Sequence, residues 1–455
     1  MLTEEQQLVV DTVCSSDNRI IAVNSIAGSG KTSTGDAVIR AVKPTKGFYT
    51  AFNKAIVTDS ASRFGDLITC KTIHALAWQY IRPTKIEELS VATITENLAY
   101  EDKQTVIDLL DMFYRSAATN IEDFLNNHTD DEEIKNLVIE YADKMLTGKI
   151  PVSYNYMLKC LHLMLLNDEI SIDYDLFILD EAQDTTAVAL EIFKLINAKK
   201  KVVFGDKYQN IYSFMDTVNA FEELENLNLL RLTKSFRCNP SVANVVETYG
   251  KQYLESDFRF KGHELIQSNA KPSIAYISRT NASVIERMYT LMCLNVSFYS
   301  IRSIDELFAL PIAINNLMQY KNVTDKRYRY LEKEFYKFLS CDNYYSFTEY
   351  LQLTMNSPAI IAACSVINRF KRINTDLFYV KERLKTFNTN KQIIVTTAHA
   401  YKGLEADSVV IENDLNNSVQ QAINSEERTK EVKETLNTYY VALSRARTVL
   451  KNCHY

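Results

Sequence analysis

Short apolar runs recur along this chain, each closed by charge, glycine or short polar residues, and apolar positions between them fall into helical spacing. Runs at 19–24 (RIIAVN), 47–50, 68–70, 177–179, 201–204, 229–232, 272–277, 393–396 and 408–411 have strand length and turn-like borders, so each predicts a buried strand. Helical stripes intervene: Val106, Leu109, Leu110 and Phe113; Ile134, Leu137, Val138 and Tyr141; 188–196; and Leu331, Phe335, Phe338 and Leu339. Strands alternating with helices predict an α/β chain with parallel sheets. Two stretches, 85–150 and 305–386, lose the strand runs and read as mainly helical insertions, the first divided by an acidic loop near 130–133.

The remaining sequence changes this picture little. At 455 residues the chain is too long for one core, so two or more domains are expected. Hydrophobic residues make up 46% and charged residues 24%, an ordinary globular balance. A net charge of −6 argues against a uniformly basic nucleic-acid coat, while a local basic channel stays compatible with it. The eight cysteines form no CxxC pair, which argues against zinc and for reduced thiols. The start, MLTEEQQLVV, lacks the basic and apolar regions of a signal peptide, and no apolar run approaches membrane-spanning length. A cytoplasmic protein of a bacterial or phage-infected cell, without membrane contact, is expected.

Chemistry concentrates at the ends of the predicted strands. After the first comes AGSGKT (27–32): Ala27, Gly28, Ser29 and Gly30 can turn backbone N–H groups toward an anion, Lys31 can neutralise phosphate and the Thr32 hydroxyl can ligate Mg²⁺. Ser25 stands where the general phosphate-loop pattern has glycine, so the match is to the shorter GxGKT form. FILDEAQD (177–184) delivers Asp180 and Glu181 to a strand end, where one carboxylate could hold a metal and the other orient a water. Thr3 and Gln6 have capping-box spacing. Segment 151–159 (PVSYNYMLK) suits either single-strand stacking or a packed amphipathic helix, and the charged cluster 326–330 reads as a solvated helix face before a duplex contact.

Taken in order, LTEEQ, AGSGKT, AFNKAIVTDSASRF with CKTIHALAW, LDEAQD, VVFGDKYQNIYSF, LTKSFR, TTAHAYKGLEADSVVI and YVALSRA resemble the motifs of superfamily 1 DNA helicases of the UvrD/Rep/PcrA type. Within that family they look most like the helicase portion of the F-box DNA helicases, and no F-box segment is expected before Gln6. The motifs run from residue 2 to residue 446, nearly the whole chain.

The resemblance implies two RecA-like P-loop motor domains, one of 1–84 and 151–250 and one of 251–304 and 387–455, interrupted by the helical insertions 85–150 and 305–386. It implies ATP and Mg²⁺ as cofactors, single-stranded DNA and single-strand/duplex junctions as partners, a monomer acting on DNA, and 3′→5′ movement in replication, repair or recombination. Gln6 would read adenine and Phe236 stack on it; Lys31, Thr32 and Asp180 would hold phosphates and Mg²⁺. Glu181 would polarise the attacking water, Arg237 and Arg445 would be arginine fingers, and Gln209 would sense the γ-phosphate. Gly403 and Glu405 would touch phosphate and ribose. Asn53, Thr72, His74, Tyr212, Phe214, Arg279 and His399 would meet DNA. Phe214 replaces the family's tryptophan, and Met215-Asp216 replaces its Arg-Gly, removing one phosphate contact and adding a negative charge. A translocase that clears proteins from DNA with little unwinding is the alternative; a non-hydrolysing nucleotide-dependent binder is disfavoured by the full set of catalytic residues.

Overall fold

The computed structural model describes residues 2–16, 20–51, 53–96, 98, 100–212, 216–225, 227–264, 271–341, 343–355 and 357–455. The chain divides into two units, Met1–Lys234 and Ser235–Tyr455. The first holds strands β1 (Ile20–Ser25), β2 (Gly47–Ala51), β3 (Thr69–Cys70), β4 (Asp173–Asp180), β5 (Thr185–Thr186), β6 (Asn197–Gly205), β7 (Thr217–Val218) and β8 (Asn228–Leu232). Six of them form a sheet of order β3-β2-β4-β6-β1-β8, parallel throughout, while β5 and β7 pair antiparallel. The second holds β9 (Ile274–Ser278), β10 (Tyr299–Ser300), β11 (Ile393–Thr397), β12 (Ala406–Ile411) and β13 (Ala446–Lys451), a parallel sheet of order β10-β11-β9-β12-β13. The chain is therefore α/β with two parallel sheets, as two RecA-like motor domains require.

The apolar runs are continuous because the central strands are covered on both faces. Side-chain alternation assigns each residue its side. Ile21, Val23, Tyr49, Ile178, Val202 and Phe204 pack toward helices Glu4–Ser15 and Lys31–Val42, with Val9, Val13, Val38 and Ile39. Ala22, Phe48, Phe177, Leu179 and Val203 pack toward the opposite face. There the same core runs without a break into the first insertion, through Val106, Leu110 and Phe113 of helix Tyr100–Arg115 and Val138 and Tyr141 of helix Glu132–Leu146. Each of these buried aliphatic or aromatic side chains contributes roughly 1.5–3 kcal/mol. The insertion thus completes one face of its sheet. In the second unit Val284, Met288 and Val395 share a core with Ile314, Leu331, Phe335, Leu351 and Ile367 of the 305–386 stretch.

Three details sharpen the sequence reading. The division falls at 234/235 and not near 250. Asn239 caps helix Pro240–Tyr253 and also donates to Thr448 O at 3.0 Å, and Tyr249 donates to Leu436 O at 2.9 Å, which ties that helix into the second unit. Leu339, placed in one stripe with Leu331, Phe335 and Phe338, is 48% exposed, because it ends helix Tyr330–Leu339 one position beyond the line of buried Leu331 and Phe335 and half-buried Phe338. Segment 151–159 folds as the start of helix Tyr154–Leu166, with Tyr156 and Lys159 buried. The Lys159 ammonium donates to Ser116 O and Ala118 O at 2.8 and 2.6 Å, just past the end of helix Tyr100–Arg115, and sits over the Phe113 ring. Only Tyr154 of that aromatic group stays exposed. Among the described residues no helix is long and apolar enough to cross a membrane.

Candidate nucleotide and nucleic-acid sites

The AGSGKT segment links β1 to helix Lys31–Val42. Gly28 (φ 74°) and Gly30 (φ 82°) occupy the left-handed region, where a Cβ is strained, and Gly30 caps the helix without a side chain. The free N–H groups of that helix start face the loop, a ready cradle for phosphate. Ser29 is buried, and its hydroxyl makes no hydrogen bond. Gln6 fulfils both readings of its position. It closes a capping box with Thr3, and its amide also donates to Ser29 O at 3.3 Å, tying the first helix to the loop.

Strand β4 brings Asp180 and Glu181 to the same carboxyl edge. Glu181 turns into the left-handed region (φ 50°) and accepts the Lys31 ammonium at 2.5 Å. Burial works against the Lys31 charge, but Glu181, Asp180 and Asp206 outweigh it and its pKa lies above the ordinary lysine value. Asp180, 4% exposed, accepts the Tyr49 hydroxyl at 2.5 Å and the Glu181 N–H at 2.8 Å. Burial pushes its carboxyl above the ordinary aspartate value, with Lys31 opposing this and Glu181 reinforcing it. Its two hydrogen-bond donors are neutral, and the Thr32 hydroxyl stands on the first turn beside Lys31; carboxylate and hydroxyl oxygens are the donors Mg²⁺ takes.

Gln209 joins this site through a buried relay. Its amide donates to Asp206 Oδ2 at 2.7 Å; the Asp206 N–H donates to Gln183 Oε1 at 3.1 Å; and Gln183 Nε2 donates to Glu181 Oε2 at 2.6 Å. A Cβ at Gly205 would stand 2.5 Å from Gln183 Oε1, so the relay needs glycine there. The sequence marks both ends of the chain and, with Asp184, Gln183 as a link away from the phosphate site; Asp206 in its middle, and Tyr49 beside Asp180, emerge from strand register.

In the second unit Arg237 donates to Glu405 Oε2 at 2.7 Å and to Ser444 O at 3.2 Å. Glu405 also lies 3.7 Å from Arg447, which reaches the buried Asp407 at 3.3 Å. Arg445 is 1% exposed and bonds Val441 O and the Ser444 hydroxyl of its own helix end. Phe236, beside Arg237, is 37% exposed with His263 at its edge, and Gly403 has φ 87° with open space around it. Arg237, Glu405 and Arg445 thus form one neighbourhood.

The residues predicted to meet DNA are placed as follows. Asn53 and Thr72 are the caps of helices Lys54–Phe64 and Ile73–Ile81, at the carboxyl edge of the first sheet. His74 is held by Asn155 at 3.3 Å, and burial lowers its pKa below the ordinary histidine value, with Asn155 opposing, so the ring is neutral at pH 7. Tyr212 is half-buried, its carbonyl accepting from Thr217. Arg279 and Thr280 direct their N–H groups to Asp414, and His399 stands 3.8 Å from Glu434. Phe214 and Met215 lie outside the described residues. Asp216 meets Arg115 at 3.3 Å, and Arg115 also holds Asp111 at 2.8 Å. The negative charge that departs from the family pattern therefore has a partner supplied by the first insertion.

A phosphate loop, a paired carboxylate strand end and two parallel sheets define a P-loop nucleotide-binding chain, and residues 6–215 match the family described as AAA domain. The chain is similar over nearly its whole length to F-box DNA helicases. It is 25% identical over 507 residues to F-box DNA helicase 1 of Gallus gallus, covering 99% of this chain and 48% of that protein. It is 24% identical over 514 residues to F-box DNA helicase protein 1 of Schizosaccharomyces pombe, covering 98% and 56%. The chain spans about half the length of these curated relatives.

Proposed function

We propose that the chain is an ATP-dependent DNA helicase that translocates on single-stranded DNA. The observation that carries the reading is the Lys31–Glu181 pair beside Asp180 at the mouth of a glycine loop. Lys31 would exchange Glu181 for phosphate oxygens when ATP enters, while Gln183 keeps Glu181 Oε2. The Glu181 carboxylate would then orient water for attack on the γ-phosphorus, giving ADP and phosphate. Asp180 and Thr32 would hold Mg²⁺, which neutralises phosphate charge when bound. Arg237 and Arg445 would stabilise the transferred phosphoryl group as arginine fingers. That role requires both to leave the partners described above. Gln6 and Phe236 would recognise adenine, Gly403 and Glu405 phosphate and ribose, and Gln209 would report phosphate occupancy through Asp206 and Gln183.

On DNA, Asn53, Thr72, neutral His74, Tyr212, Phe214, Arg279 and His399 would contact a single strand by stacking and hydrogen bonding, which tolerate any sequence. The alternative, a translocase that clears proteins with little unwinding, is favoured by insertions that merge with their own sheets. Strand displacement and recombinase-filament clearance on one preparation separate the two. The core reading is tested by Glu181→Gln. DNA-stimulated hydrolysis should fall by ~10²–10⁴-fold with nucleotide binding retained, and hydrolysis at the unaltered rate would refute the assignment.

A further inference from the structure

Tyr49 lies in none of the segments that carry the functional reading, yet it makes the shorter of the two hydrogen bonds to Asp180. We infer that Tyr49, braced by Ser60, is a positioning residue that aims the Asp180 carboxylate at the divalent cation of bound nucleotide. The inference rests on the nucleotide-hydrolysis reading above.

The placement follows from register. Strand β2 pairs with β4 so that Ala51 stands opposite Asp180 and Tyr49 opposite Ile178. Tyr49 is 2% exposed, and Phe64 packs edge-on at 5.2 Å, which fixes the plane of its ring. Its hydroxyl donates to Asp180 Oδ2 at 2.5 Å and accepts the hydroxyl of Ser60, also buried, at 3.0 Å. The other Asp180 oxygen accepts the Glu181 N–H at 2.8 Å. Each oxygen therefore takes one bond from a fixed neutral donor, which locks the carboxylate rotamer and leaves its negative charge and remaining lone pairs for a cation. The hydroxyl chain has one consistent direction, Ser60 to Tyr49 to Asp180, so both protons are used. Phenylalanine would fill the same apolar space. A hydroxyl buried here is costly unless it is bonded, and its bond ends on the carboxylate predicted to bind metal.

Tyr49→Phe keeps the ring and removes the bond. In the full-length chain, Mg²⁺ is titrated at fixed concentration of a fluorescent ATP analogue and the half-saturating Mg²⁺ is read from the fluorescence. Tyr49→Phe should raise that midpoint by about 5- to 10-fold and Ser60→Ala by about 2- to 3-fold, with no further rise in the double variant. Analogue binding in EDTA should match the unaltered protein. An unchanged midpoint in folded Tyr49→Phe would overturn the inference, as would a Ser60→Ala effect that persists in the Tyr49→Phe background. Should Tyr49→Phe lose its circular dichroism signature, Ser60→Ala decides alone, an unchanged midpoint counting against the inference. Absence of any Mg²⁺-dependent analogue binding in the unaltered chain is a different result; it removes the hydrolysis reading and this inference with it.

Discussion

Gly30 opens the helix that would receive phosphate, and its φ of 82° is one that a Cβ makes costly. Gly30→Ala should lower the melting stability of the chain by about 1–2 kcal/mol and weaken nucleotide binding, measured by thermal denaturation and analogue fluorescence. Charge compensation at Asp216 gives a second residue-scale expectation. Because Arg115 already pairs with it, Asp216→Asn should change affinity for a single-stranded oligonucleotide less than about twofold, in keeping with the small worth of exposed ion pairs. Arg115→Ala removes the cation that pairs with both Asp216 and Asp111, while Asp111 keeps the Asn155 amide at 2.7 Å. It should weaken binding by about 3- to 10-fold at low salt and less at high salt. Trp78 is the chain's one tryptophan, 47% exposed and four residues from His74 on the same helix, so its emission is a direct readout of these titrations.

At the scale of an element, Lys159 is the contact that fastens helix Tyr154–Leu166 to the end of helix Tyr100–Arg115. Burial lowers its pKa to about 8, against about 10.4 in an unfolded chain. Between those values the unfolded state binds more protons than the folded one, so stability rises with pH there. Below pH 8 both states carry the charge and the burial penalty is present in full; above 10.4 neither does. The stability of the unaltered chain relative to Lys159→Met should therefore grow from pH 8 to pH 10, by at most about 3 kcal/mol. Chemical denaturation of the two proteins at several pH values measures it. A difference that stays flat would mean the two carbonyl acceptors hold the ammonium charged throughout.

For the whole molecule, the informative quantity is directed movement. With ATP, the chain should unwind 3′-tailed duplexes and leave 5′-tailed ones intact, and Glu181→Gln should do neither. Filament clearance without strand displacement would move the assignment to the clearing translocase. Equal unwinding of both tails would contradict the polarity that the motif resemblance implies.

Much of this molecule is determined by the sequence alone. Strands buried on both faces must be largely apolar, so β1, β2, β4, β6, β9, β11 and β12 are legible as runs, as is the edge strand β8, and the loops at the carboxyl ends of β1 and β4 mark AGSGKT and FILDEAQD as chemistry. The short β5, β7 and β10 and the late β13 are not legible, the first three because a two-residue strand has no periodicity and the last because Arg447 and Thr448 interrupt its apolar positions. What only the tertiary structure decided is which distant side chains meet. Register between β2 and β4 sets the Tyr49 hydroxyl on Asp180, and the fold of the insertion brings Arg115 to Asp216, more than 100 positions away in each case. Such contacts depend on the alignment of segments far apart in the chain, and no local pattern of residues records that alignment.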